Sequence, residues 1–245
     1  MKPRQLGTLI TLASPEIADA LAITGVDWVF VDMEHSPAID PTAVLHIVQA
    51  IGGRADVFVR VPVNDEVWIK KSLDAGADGV IVPHVVTQED ATRAVHAAKY
   101  PPLGRRSVGI TPAHGYGSNF QSYLANANSS TRLVVQIEDI EAMKNLDAIL
   151  GVEGVDAAFV GPYDLSGSMG KLGQLADPEV QSTIDTIIEK CRSAGVPLGI
   201  YASDVAGARQ ALDRGVDFVA VGTEVGLLMS AMRDVLSALN HPRCG

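Results

Sequence analysis

Cysteine is almost missing from this sequence. Two are present, Cys191 in a stretch of helical periodicity and Cys244 next to the last position. So few thiols argue against a disulfide framework and against a thiolate metal site. Basic charge is also in deficit: 19 Lys and Arg stand against 29 Asp and Glu, a formal net charge of −10. That balance argues against nucleic acid as a partner, although a basic group inside a cleft can still bind a small anion. Long apolar runs are lacking too. None approaches the roughly 20 residues that a membrane span needs, and "MKPRQLGTLI" (1–10) has no apolar stretch of the signal-peptide kind. A cytoplasmic protein with no membrane partner is expected.

What the sequence has is a repeat. "GVDWVFV" (25–31), "GADGVIV" (76–82), "GVDAAFV" (154–160) and "GVDFVAV" (215–221) share one plan: Gly, a small apolar residue, Asp, then a β-rich run. Each follows a stretch of helical spacing. The Gly suits the left-handed position that ends a helix, and the Asp suits the short turn into a strand. Each run is apolar on both faces, as a parallel strand covered by helices must be. Four further strands fit between these, at 6–12, 56–62, 133–138 and 197–202. Helical segments are predicted over 15–24, 41–51, 65–75, 88–99, 140–150, 178–194, 204–214 and 225–239. Eight strand–helix alternations in 245 residues predict a single-domain (β/α)8 TIM barrel over 1–245. A doubly wound sheet is the alternative, but no Gly-x-Gly-x-x-Gly follows the first strand.

In a barrel the two ends of a strand have different meanings. Asp27, Asp78, Asp156 and Asp217 open strands, on the face that serves stability, and read as turn and capping residues. Chemistry is expected at the other end. The second strand closes on "DMEH", with Asp32, Glu34 and His35; the third on Arg60; the fifth on "QIED", with Gln136 and Glu138; the sixth on "VGPYDLSGSMG", with Asp164. Glu138 and Asp164 are hard oxygen donors that suit Mg²⁺ or Mn²⁺. Arg60 carries a planar fork suited to a carboxylate or a developing enolate oxygen. His35 can move a proton near neutral pH, and the Gly161–Leu165 turn can offer backbone N–H groups to an anion. Taken singly, each has a plainer reading: an acid can cap the next helix, Arg60 can sit in a structural ion pair, and His35 can be a hydrogen-bonded structural residue. Together they describe a site that makes and holds an enolate. Schiff-base chemistry needs a lysine inside the barrel, and none of the seven lysines ends a predicted strand.

These motifs resemble the HpcH/HpaI aldolase family of the phosphoenolpyruvate/pyruvate superfamily. "VDMEHSP", "VRVPVND", "KYPPLGRRSVG", "VVQIED", "EAMKNL", "GVEGVDAAFVGPYDLSGSMG" and "VAVG" carry the resemblance, in order, over about 6 to 225. It implies a metal-dependent class II aldolase that acts on 4-hydroxy-2-oxo acids, with pyruvate as the enolate component and an aldehyde as the other partner. By the resemblance, Glu138 and Asp164 hold the metal, with Co²⁺ a further candidate beside Mg²⁺ and Mn²⁺. Arg60 binds the pyruvate carbonyl oxygen and His35 transfers the proton. Asp32 is an acid beside the metal site, and Glu34 a supporting hydrogen-bond acceptor. Gln136 and the turn Gly161, Pro162, Tyr163 and Asp164 bind substrate. Asp74, by its residues a helix-end surface aspartate, matches one that reaches the histidine of a neighbouring subunit. The resemblance further implies a homo-oligomer, a hexamer built as a dimer of trimers, with a swapped final helix in many members.

Met33 and Ser107 stand where many members carry glycine, and 110–124 departs from the best-known ones. The resemblance therefore carries the pyruvate half of the substrate and not the aldehyde half. Oxaloacetate decarboxylation, another enolate C–C lyase reaction and a non-catalytic 2-oxo-acid-binding barrel are the alternatives. The long connection at about 100–132 is expected to shape the mouth.

Overall fold

A computed structural model of the chain describes residues 4–239. Lys2 and Cys244 lie outside the described residues. Eight parallel strands close a barrel in sequence order. They are β1 Gln5–Ile10, β2 Trp28–Asp32, β3 Asp56–Arg60, β4 Gly79–Val82, β5 Arg132–Ile137, β6 Ala157–Val160, β7 Leu198–Ala202 and β8 Phe218–Thr223. The helices are α1 Pro15–Ile23, α2 Pro41–Ile51, α3 Glu66–Asp74, α4 Gln88–Ala98, α5 Phe120–Ser130, α6 Ile140–Lys144, α7 Leu146–Leu150, α8 Pro162–Ser168, α9 Pro178–Ala194, α10 Val205–Asp213 and α11 Glu224–Ala238. No helix among the described residues is long and apolar enough to cross a membrane.

Alternation along each strand divides the core. On β2 and β3, Val29, Val31, Val57 and Val59 face outward and pack with Val44, Ile47 and Ile51 of α2. Trp28, Phe30 and Phe58 face inward and meet Phe159 and Phe218 in the barrel interior. The rings pack edge to face, Trp28 on Phe218 at 5.5 Å and Phe30 on Phe159 at 5.3 Å between centroids. The sequence has five phenylalanines, and four of them fill this interior. Room comes from strand glycines: a Cβ on Gly199 would lie 2.1 Å from the Phe218 ring, and one on Gly7 2.6 Å from the Trp28 ring. Replacing one of these buried rings by alanine costs about 3–5 kcal/mol.

The four Gly-x-Asp units are a single device used four times. Gly25, Gly76, Gly154 and Gly215 all take positive φ, between 87° and 102°. The aspartates do more than turn the chain. The carboxylates of Asp27, Asp78, Asp156 and Asp217 accept the N–H groups of Leu6, Val57, Leu133 and Leu198 at 2.7–2.9 Å. The N–H of each aspartate donates to the carbonyl of the same partner at 2.9 Å. Each unit is therefore a two-point clamp on the neighbouring strand. At Asp156 the buried Lys99 ammonium joins the clamp at 2.7 Å, and also donates to Thr131 O and Asn128 O at 2.7 and 3.1 Å.

Three departures from the predicted elements have local causes. The helix expected over 140–150 is two helices, broken at Asn145 (φ −94°, ψ 5°), whose side chain donates to Val86 O at 3.0 Å. Asparagine competes in this way with helical bonding. The connection from α4 to β5 carries a 3₁₀ turn, Pro112–His114, and α5. The last helix, α11, leaves the barrel wall: Glu224 is its only buried residue, while Leu228, Met232 and Val235 form an exposed apolar stripe at helical spacing.

Candidate active site

The inward column of each strand is apolar below and polar at its C-terminal end. On β2 it runs Trp28, Phe30, Asp32; on β3, Phe58, Arg60; on β5, Val134, Gln136, continued by Glu138; on β6, Ala157, Phe159, then Gly161. Period-two alternation thus carries the polar groups to one mouth. A cavity of about 290 Å³ opens there, lined by Arg60 and Gln136 and not by Asp32 or Glu138. Leu9, Phe30 and Phe159 give it an apolar base, and His35, Arg60, Gln136 and Asp164 its polar wall. Gly161, Pro162, Tyr163 and Tyr201 complete the lining. No residue of 100–132 lines it. Two wider grooves lie elsewhere: one of about 620 Å³ between α3 and α4, and one of about 770 Å³ at the strand entries, opposite the end where barrel enzymes place their chemistry.

Arg60 is fixed from two sides. Its Nε and Nη2 donate to Asp32 Oδ1 and Oδ2 at 3.0 and 2.8 Å, and Nε lies 3.1 Å from Glu34 Oε2. The guanidinium also stands over the Phe30 ring, 5.1 Å from its centroid. Burial opposes the charge, but the bonds and charges of Asp32, with Glu34 and Glu138, outweigh it and hold Arg60 above its ordinary value. Asp32 Oδ1 also accepts the N–H groups of Glu34 and His35 at 3.0 and 3.3 Å. One buried carboxylate therefore sets both Arg60 and the loop that carries His35. Glu34 is pushed above the usual carboxylate range by burial; Arg60 pulls the other way and Glu138 adds to the rise.

Glu138 is buried and held at both oxygens: Oε1 accepts the His84 N–H at 2.8 Å, and Oε2 accepts from Gln136 Nε2. Gly161 packs closely on it: a Cβ there would come 3.2 Å from Glu138 Cβ, and Glu138 would have to yield by a few tenths of an ångström. Asp164, one turn into α8, is exposed and has no ion-pair or hydrogen-bond partner among the described residues. The first helical bond of α8 is Leu165 N–H to Gly161 O at 3.0 Å, which leaves the Tyr163 and Asp164 N–H groups without an intrahelical acceptor.

This corner fits a hard divalent cation. Its carboxylates and the Gln136 amide present oxygen donors, and Gln136 Oε1 is buried with no hydrogen bond. Among the described residues no three His, Cys, Asp or Glu converge as a ligand set. Glu138 and Asp164 are the carboxylates that would hold it, with other positions open to water or substrate.

Asp74 is not brought to this cavity. It closes α3 and accepts from Arg106 Nη2 at 2.6 Å. Arg106 is buried beneath Tyr100, 4.8 Å from the ring centroid.

One residue of the mouth escaped the sequence reading. His84, just past β4, places Nε2 3.1 Å from Glu34 Oε1 and Nδ1 3.3 Å from Glu138 Oε1. Its backbone is left-handed, φ 56°, which costs an L-residue about 1–2 kcal/mol. The rule that selected the other strand ends, extended to "VIVPH", selects His84 too.

Comparison with known proteins agrees with this architecture. The family model of the HpcH/HpaI aldolase/citrate lyase family matches residues 5–231. The chain is 38% identical over 234 residues to a 5-keto-4-deoxy-D-glucarate aldolase of Citrobacter koseri, covering 96% of this chain and 91% of that one. It is 41% identical over 224 residues to the Salmonella arizonae enzyme of the same name, covering 91% and 87%. The crystal structure of an HpcH/HpaI aldolase/citrate lyase family protein from Burkholderia cenocepacia superposes with a TM-score of 0.93 at 34% identity, over 98% of this chain and 95% of that one. The chain belongs to the HpcH/HpaI aldolase/citrate lyase family.

Proposed function

We propose that this protein is a divalent-metal-assisted aldolase that cleaves 4-hydroxy-2-oxo acids to pyruvate and an aldehyde. The observation that carries the reading is the meeting of a doubly anchored Arg60 with His35, Gln136 and the Gly161–Asp164 turn around one small cavity. The names of the relatives at 38% and 41% identity support 5-keto-4-deoxy-D-glucarate as the substrate to test first.

The roles follow from the chemistry of the groups. Glu138 and Asp164 would hold the cation, Mg²⁺, Mn²⁺ or Co²⁺, which when bound supplies Lewis acidity to the substrate's 2-keto oxygen. The Tyr163 and Asp164 N–H groups receive the substrate carboxylate, and Gln136 offers its amide beside it. His35 accepts the 4-hydroxyl proton. As the C4 oxygen forms its carbonyl, the C3–C4 bonding pair moves into the C2–C3 bond and the keto oxygen takes the negative charge. Arg60 donates to that oxygen. Because Asp32 and Glu34 have already fixed the guanidinium, no reorganisation is needed as charge develops, and such a donor is worth roughly 3 kcal/mol. The aldehyde leaves, and a proton delivered to C3 completes pyruvate.

The exposed stripe Leu228, Met232 and Val235 supports exchange of α11 with a second copy, in a hexamer built as a dimer of trimers. In that assembly Asp74 would serve the His35 of a neighbour. The enzyme would act in the cytoplasm on small molecules alone.

The test is pyruvate release, coupled to NADH oxidation by lactate dehydrogenase, across 4-hydroxy-2-oxo acids of different length and charge, with and without EDTA. Pyruvate should appear, stop with EDTA and return with Mg²⁺ or Mn²⁺. Undiminished release in EDTA would remove the metal, and no release from any substrate would remove the aldolase reading.

A further inference from the structure

Glu138 has three side-chain torsions and no covalent constraint on where its carboxylate points. Its two oxygens each take one donor, the His84 backbone N–H at Oε1 and the Gln136 amide at Oε2. A carboxylate oxygen has two lone-pair sites, so Oε2 keeps one free, while Oε1 also faces the exposed His84 ring at 3.3 Å.

The His84 contact has an unusual origin. The β4–β5 ladder ends at Val82, paired with Val135. Pro83 has no N–H, so His84 supplies the first backbone donor beyond the ladder. From there the chain must still bury Val85, which is 1% exposed, and reach the Thr87–Asp90 capping box that opens α4. The left-handed turn at residue 84, φ 56°, is what lets the Pro83–His84 peptide face Glu138 while the chain turns back to these anchors. The imidazole is secondary: its side chain is 67% exposed and rests between Glu34 and Glu138 at the rim.

We propose that His84 is a positioning residue for Glu138, acting through the backbone N–H that its left-handed conformation aims at the carboxylate. The proposal rests on the reading of Glu138 as a ligand of a divalent cation.

The experiment is calorimetric titration of the full-length protein with Mn²⁺, comparing wild type with three variants. His84→Gly keeps the left-handed backbone and its N–H but removes the imidazole; its Mn²⁺ affinity should stay within about threefold of wild type. His84→Val resists the left-handed region and should weaken Mn²⁺ binding by about tenfold or more, the scale of a lost partner behind a metal ligand. His84→Ala, gentler on folding, should lose severalfold. Far-UV circular dichroism and the metal-free melting temperature show whether each variant is folded, and His84→Ala carries the test where His84→Val is not. Folded His84→Val or His84→Ala with wild-type affinity would overturn the proposal. Equal losses in His84→Gly and His84→Val would overturn it as well, by moving the role to the imidazole. Wild-type protein that binds no Mn²⁺ would remove the metal reading itself, a result distinct from both.

Discussion

The two ends of this barrel use the same side chains in opposite ways. At the strand entries, Asp27, Asp78, Asp156 and Asp217 accept backbone N–H groups of a neighbouring strand, and backbone bonds double each contact. At the strand exits, Asp32, Glu34 and Glu138 gather around one guanidinium and two imidazoles, Asp164 stands exposed without a partner among the described residues, and Gln136 Oε1 is buried without a hydrogen bond. An acid that spends one oxygen on the N–H of a neighbouring strand, at the entry end of the barrel, holds the fold together. An acid set at the open mouth, held by side chains and by loop N–H groups and beside a cavity, can still bind something that arrives. The entry face serves stability and the exit face keeps capacity for a ligand.

Substitutions should separate the two ends. Arg60→Lys keeps the charge and loses the fork to Asp32 and Glu34; kcat/KM should fall at least about 100-fold, with the melting temperature moved by only a few degrees. Wild-type turnover in this variant would take Arg60 out of the mechanism. At the entry face the sign of the comparison reverses. Asp156→Ala removes a clamp and strands the buried Lys99 ammonium, so urea unfolding should show a loss of about 3 kcal/mol. The exposed clamp at Asp27 should lose only about 1 kcal/mol on replacement by alanine. Both variants should keep kcat within about twofold per folded molecule, and a large drop in either would blur the division between the ends.

The smallest effect concerns pH. Burial raises the Asp78 carboxyl above its ordinary 3.8, against the Val57 N–H bond, which lowers it. The folded protein thus holds this proton more tightly than the unfolded chain. The associated stability is fully present below 3.8 and is lost as pH rises through the raised value. Asp78→Asn cannot ionise, so the stability lead of wild type over this variant should shrink between pH 4 and pH 7. A lead that grows over that range would show the carboxylate to be favoured by its site.

Much of this was legible because the sequence repeats. Four Gly-x-Asp units set the strand entries, and the limits predicted for α2 and α9, 41–51 and 178–194, are those found. The strand-exit residues could be read because alternation alone decides which of them face inward: Asp32, Arg60, Gln136 and Glu138 do. Other features depend on contacts distant in sequence. That Asp32 grips Arg60, that Asn145 breaks a helix by reaching Val86, and that Arg106 holds Asp74 are pairings across 28, 59 and 32 positions. No local pattern announces them. His84 needed the left-handed φ to be seen at all.

The clamps have one further regularity. They join β1 to β2, β3 to β4, β5 to β6 and β7 to β8, always an odd strand to the even one after it. The molecule is in this sense four βαβα quarters, each locked within itself by its clamp and meeting the next through backbone pairing, with the Asp32–Arg60 and Lys99–Asp156 pairs crossing two of the seams. The longest connection, between α4 and β5, falls on such a seam. New chain ends cut at the other two, near 52–55 or 195–197, would leave every lock inside an unbroken quarter, so circular permutants opened there should refold as the same barrel.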